Sequence, residues 1–170
     1  FHLTSSNFSV SILLFCILIP QILLSFIGGV IADVSNKKNI LILANLLRAL
    51  ALIILFFNLN SVFVVYLVAL IISIISQFYV PAESPLIPML VGKDKLVGAN
   101  SIFGMGLFGS ILIGYVLAGP AVNTLGRASV FMLLAFIFLL AAIFAFLIPS
   151  EKIRQISKKT KTRDLRKSVG

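Results

Sequence analysis

Five stretches of about twenty apolar residues, separated by short polar turns, dominate this 170-residue chain. They run over 8–31, 40–57, 62–88, 99–122 and 130–148. A helix rises about 1.5 Å per residue, so about 20 such residues cross the roughly 30 Å of hydrocarbon in a bilayer. Composition agrees with that reading. Hydrophobic residues make up 60% of the chain and charged ones 11%, and mean hydropathy is +1.16, whereas a soluble domain is roughly a quarter charged. Polar surface is too scarce to cover a globule of this size. In hydrocarbon every backbone polar group must be satisfied internally, which leaves helices and closed barrels. The short alternating segments of a barrel are absent. The predicted fold is therefore an all-α integral membrane protein with five transmembrane helices.

The breaks between spans carry turn chemistry: Asp33 to Asn39, Asn58 to Ser61, Gly92 to Lys95 and Asn123 to Arg127. Basic residues near span ends stay preferentially on the cytoplasmic side. Lys37, Lys38, Lys93 and Lys95 share one side with Lys152, Arg154, Lys158, Lys159, Lys161, Arg163, Arg166 and Lys167, which makes twelve of the fourteen basic residues. Only Arg127 lies on the other side, and Arg48 falls within a span. The expected topology is multi-pass in the cell membrane, with Phe1 outside and the tail in the cytoplasm. No basic leader precedes the first span. A further helix ahead of Phe1 would return the N-terminus to the cytoplasm, so six helices is the natural count.

Residues 149–170 read as a basic cytoplasmic linker, with attraction to anionic headgroups as the functional alternative. The segment holds no aromatic residue on which bases could stack, so nucleic acid is not an expected partner. Cys16 and His2 are the only residues of their kinds, which excludes an internal disulfide and a cysteine-built metal site. No cofactor is expected. The acidic residues Asp33, Glu83 and Asp94 fall on separate elements, so a membrane-embedded enzyme is not expected either. No filter-like segment or ring of charge points to a channel.

The first cytoplasmic loop reads Gly28-Gly29-Val30-Ile31-Ala32-Asp33-Val34-Ser35-Asn36-Lys37-Lys38. It resembles the signature loop between helices two and three of the major facilitator superfamily, G-x-L-A-D-R-x-G-R-K. Gly29, Ala32, Asp33, Lys37 and Lys38 match. Val34 replaces the usual arginine, and Asn36 the second glycine, where asparagine tolerates a left-handed backbone better than most residues. Read without the family, Gly28 and Gly29 permit close helix approach. Asp33, just past a helix C-terminus, needs a compensating partner.

Pro81 to Val91, followed by Leu96 and Ala99-Asn100-Ser101, resembles the join between helices four and five in drug- and siderophore-export members, where an arginine often stands in place of Glu83. The next span resembles the antiporter motif G-x3-G-P-x2-G-G at Ser110, Gly114, Ala118 and Gly119, with Tyr115 in place of the proline. Gly106, Ser110, Gly114 and Ala118 recur every four residues as a small-residue stripe, suited to tight packing or to a hinge. The resemblance implies helices two to six of the six-helix N-terminal bundle of a twelve-helix transporter. Its partners would be the bilayer, a small-molecule substrate, a preceding first helix and the C-terminal half of the same chain. It also implies efflux by alternating access, with proton coupling. A lipid-translocating member of the same superfamily, or a small helical membrane scaffold, is the alternative.

Two ionisable residues fall inside spans, where a charge costs about 2.5–3.5 kcal/mol or more and marks a cavity or a partner. Arg48 lies ten residues past Lys38 and Glu83 ten before Lys93, each about 15 Å from the lysine-bearing turns. That equal depth suggests an Arg48–Glu83 ion pair, against the alternative that each side chain snorkels to the interface. Ser73 and Gln77, one turn apart, and Gln21 beside Pro20 are candidates to line a water-filled cavity. The superfamily's use of helix four along the substrate path points the same way.

Overall fold

The computed structural model describes residues 7–91 and 93–149. The basic tail over 150–170, on which much of the predicted orientation rests, lies outside the described residues. Among those residues there is no strand; the fold is all helical. Helix α1 (Asn7–Val34) passes through Pro20, whose ring removes one intrahelical hydrogen bond. Helix α2 (Lys37–Phe57) starts at Asn36, whose side chain accepts from the Lys38 amide at 3.1 Å. Helix α3 (Val62–Glu83) starts likewise at Ser61, whose hydroxyl accepts from the Val64 amide. Both caps satisfy amides that would otherwise lack partners at a helix start.

A short helix α4 (Leu86–Leu90) and a 3-10 turn (Lys93–Lys95) lead into α5 (Leu96–Leu147). With 52 residues, α5 would be about 78 Å long if straight, far more than one crossing. Its continuity breaks at Gly126, with φ 80° and ψ 157°, a backbone conformation essentially confined to glycine. The element therefore forms two arms, 96–125 and 127–147, which with α1, α2 and α3 make five long apolar helical stretches among the described residues. The sequence predicted a polar turn from Asn123 to Arg127; the structure confines the break to one residue. Thr124 stays helical, its hydroxyl donating to the Pro120 carbonyl at 2.8 Å.

Two buried clusters set the packing. One, at the end of the bundle carrying the α1–α2 turn, joins Ala32, Leu41, Ala82, Leu86 and Ala145. The other, toward the opposite end, joins Ala51, Leu52, Leu55, Val68 and Ala135. The first cluster gathers Leu41 of α2 with Ala82 and Ala145, and the second gathers Leu52 with Val68 and Ala135, so α2 runs antiparallel to both α3 and the second arm. Alanine recurs at these contacts because hydrophobicity does not drive association in lipid; close van der Waals approach does. Helices α1 and α3 run parallel, tied by Tyr66 to the Ser9 carbonyl (3.2 Å) and by Ser73 to the Ile17 carbonyl (2.6 Å).

Candidate functional site

The polar centre of the bundle is built around Arg48, midway along α2 and only 8% exposed. Its Nη2 donates to the Ser76 hydroxyl on α3 at 3.0 Å, and Ser76 donates on to the Ile72 carbonyl at 2.7 Å. The guanidinium carbon lies 4.3 Å from the centre of the Tyr79 ring and 5.6 Å from that of Phe138 on the second arm of α5. Nε is buried with no hydrogen-bond partner. One helical turn beyond Tyr79, Glu83 accepts the Tyr79 hydroxyl at 3.2 Å. Asn45, one turn before Arg48, is also buried.

The expected direct Arg48–Glu83 ion pair does not form. The ring of Tyr79 touches the guanidinium on its face and the carboxylate through its hydroxyl, so the two charges communicate across it. The equal depth inferred from spacing is compatible with this, but Ser76 and Tyr79 occupy the α3 positions that face Arg48. An aromatic face over a desolvated cation contributes about 2 kcal/mol, and a hydrogen bond to a charged group about 1.5–3 kcal/mol. Together these are commensurate with the cost of placing arginine at mid-membrane. Arg48 also does not snorkel, since its head is held between three helices.

The α1–α3 seam is the second polar element. A Cβ on Gly28 would collide with the backbone carbonyl of Gln77, so glycine is required for the two backbones to meet. Gly29, the residue that matches the signature glycine, has nothing within 4 Å of its Cβ position. Ser73 is buried in the seam, and the Gln77 amide donates to the Ser73 carbonyl at 3.3 Å. Ser73 is committed to the neighbouring helix, while Gln77 is half-buried and bonds within its own. Gln21 is exposed on α1.

At the α1–α2 turn, Asn36 has φ −73° and ψ 107°. It is extended and acts as a cap, so the left-handed role expected of it is not used. Lys37 Nζ donates to the Ala32 carbonyl at 3.1 Å, closing the end of α1. Lys38 Nζ lies 5.0 Å from the centre of the Phe146 ring, which fastens the end of the second arm. Asp33 is exposed, and among the described residues no ion pair holds it. The small-residue stripe differs from expectation most. Gly106, Ser110, Gly114, Ala118 and Gly119 are all exposed. Gly106, Gly114 and Gly119 have open space at their Cβ positions, and Ser110 bonds only to Leu107 of its own helix. Among the described residues, nothing packs on the stripe.

The sequence profile of the Major Facilitator Superfamily matches residues 1–169. The chain belongs to the major facilitator superfamily. An uncharacterized MFS-type transporter, YfiS of Bacillus subtilis (strain 168), is 26% identical over 155 residues, which cover 91% of this chain and 37% of that protein. The chain thus spans little more than a third of the relative's length. No solved structure matches it. Membership makes this a multi-pass membrane protein of a transporter family, and the helical architecture described above is that of a partial superfamily bundle.

Sequence reasoning missed Tyr79, Ser76 and Phe138 as parts of the polar centre. Tyr79 carried a readable signal: it precedes Glu83 by four residues, one helical turn on the same face. Ser76 lies on the polar side of the same helix. Phe138 carried none, because nothing distinguishes it from the other phenylalanines of an apolar span.

Proposed function

We propose that this chain forms part of a secondary active transporter that exports a small amphipathic molecule by alternating access, driven by protons. The single observation that carries this reading is the intramembrane group Arg48–Tyr79–Glu83. It places a fixed cation and a titratable carboxylate on two helices of a superfamily bundle, joined through one phenol. Ionisable side chains at membrane depth mark ion or proton pathways. Glu83 is the acidic residue bonded to the polar centre, and in this reading it carries the coupling proton. Resemblance of the α3–α4 join to export members supports the outward direction. The lysine bias supports a cytoplasmic side for the α1–α2 turn, α4 and the end of α5.

The test uses the full-length protein in bacterial cells and a panel of amphipathic fluorescent dyes. Expression should lower dye accumulation, collapsing the proton gradient should abolish that effect, and Glu83→Gln should abolish it at unchanged protein level. Dye accumulation unaffected by expression would refute export of this class. Export that survives both a collapsed gradient and Glu83→Gln would refute the coupling role.

A further inference from the structure

Helices α1 and α2 are consecutive in sequence yet scarcely touch one another: α1 packs on α3, and α2 packs on α5 and α3. The gap between α1 and α2 is an open apolar cleft of about 260 Å³. Ile31 of α1 forms one wall, Ile40, Ala44 and Leu47 of α2 the other, and Ile75 and Phe78 of α3 the floor. Pockets for drug-sized molecules run to about 300–1,000 Å³ and contain a few placed polar groups; this cleft is smaller and has almost none. Its shape and chemistry suit one hydrocarbon chain.

One end of the cleft is charged. Lys37 lies one turn before Ile40 and two turns before Ala44, on the same face of α2. Its Nζ is anchored on the carbonyl of Ala32, the residue next to Ile31. The ammonium is thereby held at the α1–α2 turn, one helical turn from the Ile40 end of the cleft, with one of its three protons committed to Ala32 and two left to donate. No acidic residue occupies the first turn of α2 to offset it, and Asp33 does not pair with it.

We propose that this cleft is a binding site for an anionic phospholipid, with the headgroup phosphate on Lys37 and one acyl chain laid along Ile40, Ala44 and Leu47 over Phe78. An apolar groove inside the hydrocarbon layer that ends in a cation at the interface is complementary to such a lipid in both polarity and length. Zwitterionic lipids share the acyl chain but lack net negative charge, so Lys37 selects among headgroups. The site rests on the chain's insertion in a membrane and is independent of what is transported or of any coupling ion.

These 170 residues contain no tryptophan, so in the full-length protein, with any tryptophan elsewhere replaced by phenylalanine, a single introduced one reports from a known position. Phe78→Trp places it on the cleft floor and Leu43→Trp, as a second reporter, on the α2 wall. Phe144→Trp, on an exposed stretch of the second arm, is the control. Each variant is reconstituted in phosphatidylcholine vesicles containing acyl-brominated phosphatidylglycerol or acyl-brominated phosphatidylcholine as quencher. At the cleft positions, brominated phosphatidylglycerol should reach half-quenching at about one fifth of the mole fraction needed for the brominated phosphatidylcholine. Lys37→Gln should erase that preference, and the control should show none. Equal quenching by both lipids at positions 78 and 43 would overturn the proposal, leaving ordinary lipid contact. So would a preference that survives Lys37→Gln, or no quenching at all, which would mean that protein covers the cleft.

Discussion

Removing the ring of Tyr79 should cost more than removing the charge of Glu83, and double-mutant cycles in detergent micelles would show it. The perturbations are Arg48→Met, Tyr79→Leu, Tyr79→Phe and Glu83→Gln, alone and in pairs with Arg48→Met. The guanidinium carbon sits 4.3 Å from the Tyr79 ring centre, within the range where a desolvated cation–π contact contributes about 2 kcal/mol. The Arg48/Tyr79→Leu cycle should therefore show a coupling of about 1–2 kcal/mol. Tyr79→Phe keeps the ring and loses only the bond to Glu83, so its coupling to Arg48→Met should stay below about 0.5 kcal/mol, the limit of additivity. Glu83 touches Tyr79 and not Arg48, so the Arg48/Glu83 cycle should give less than about 1 kcal/mol. Arg48→Met alone is tolerable because it removes the charge together with its buried, unpartnered Nε. Helix content followed by circular dichroism during denaturing-detergent titration gives each free energy. A larger coupling for Arg48/Glu83 than for Arg48/Tyr79→Leu would refute the bridged arrangement and restore a direct ion pair.

Gly28→Val should separate α1 from α3 and destabilise by about 2 kcal/mol or more, because its Cβ meets the fixed Gln77 carbonyl; Gly29→Ala should stay within about 0.5 kcal/mol by the same unfolding assay. Ser73→Ala removes the bond to Ile17 and should cost about 0.6 kcal/mol, the mean for hydrogen bonds between membrane helices. Gly126→Ala forces a side chain into a glycine-only backbone region and should cost about 1–3 kcal/mol in unfolding free energy.

The crossings were legible because membrane thickness sets a length threshold that 20-residue apolar runs meet without reference to any partner. Arg48 and Glu83 were legible for a related reason, since an ionisable group in hydrocarbon needs an explanation wherever it points. Their contact was not. Spacing from the lysine turns fixes depth along a helix, but rotation about the axis decides whether Glu83 or Tyr79 faces the guanidinium. Gly28 and Gly29 show the same limit at single-residue scale: both permit close approach, they point about 100° apart, and only Gly28 meets α3. Asn36 was assigned a left-handed turn by analogy with a glycine, whereas its side chain found a better use in accepting the Lys38 amide.

The first arm of α5 shows why burial itself is so hard to read in a chain of this kind. In water, exposed Ile102, Met105, Phe108, Leu112 and Val116 would announce a missing partner, because apolar area left in solvent costs about 25 cal/mol per Å². In a bilayer that argument loses its force, since lipid tails are as apolar as leucine and solvate such side chains at no penalty. What distinguishes a helix face made for protein contact is then the absence of bulk. Ala135, Ala142 and Ala145 mark the face of the second arm that packs on α2, and Gly28 marks the α1–α3 contact. By that criterion the open stripe at Gly106, Ser110, Gly114 and Ala118 has the composition of a packing face, although nothing among the described residues covers it. Ala substituted for Gly106 and Gly114 should leave the stability of this chain unchanged within about 0.5 kcal/mol per site, apart from a small gain in helix propensity. A loss of more than about 1 kcal/mol in the same unfolding assay would show that the stripe is packed after all.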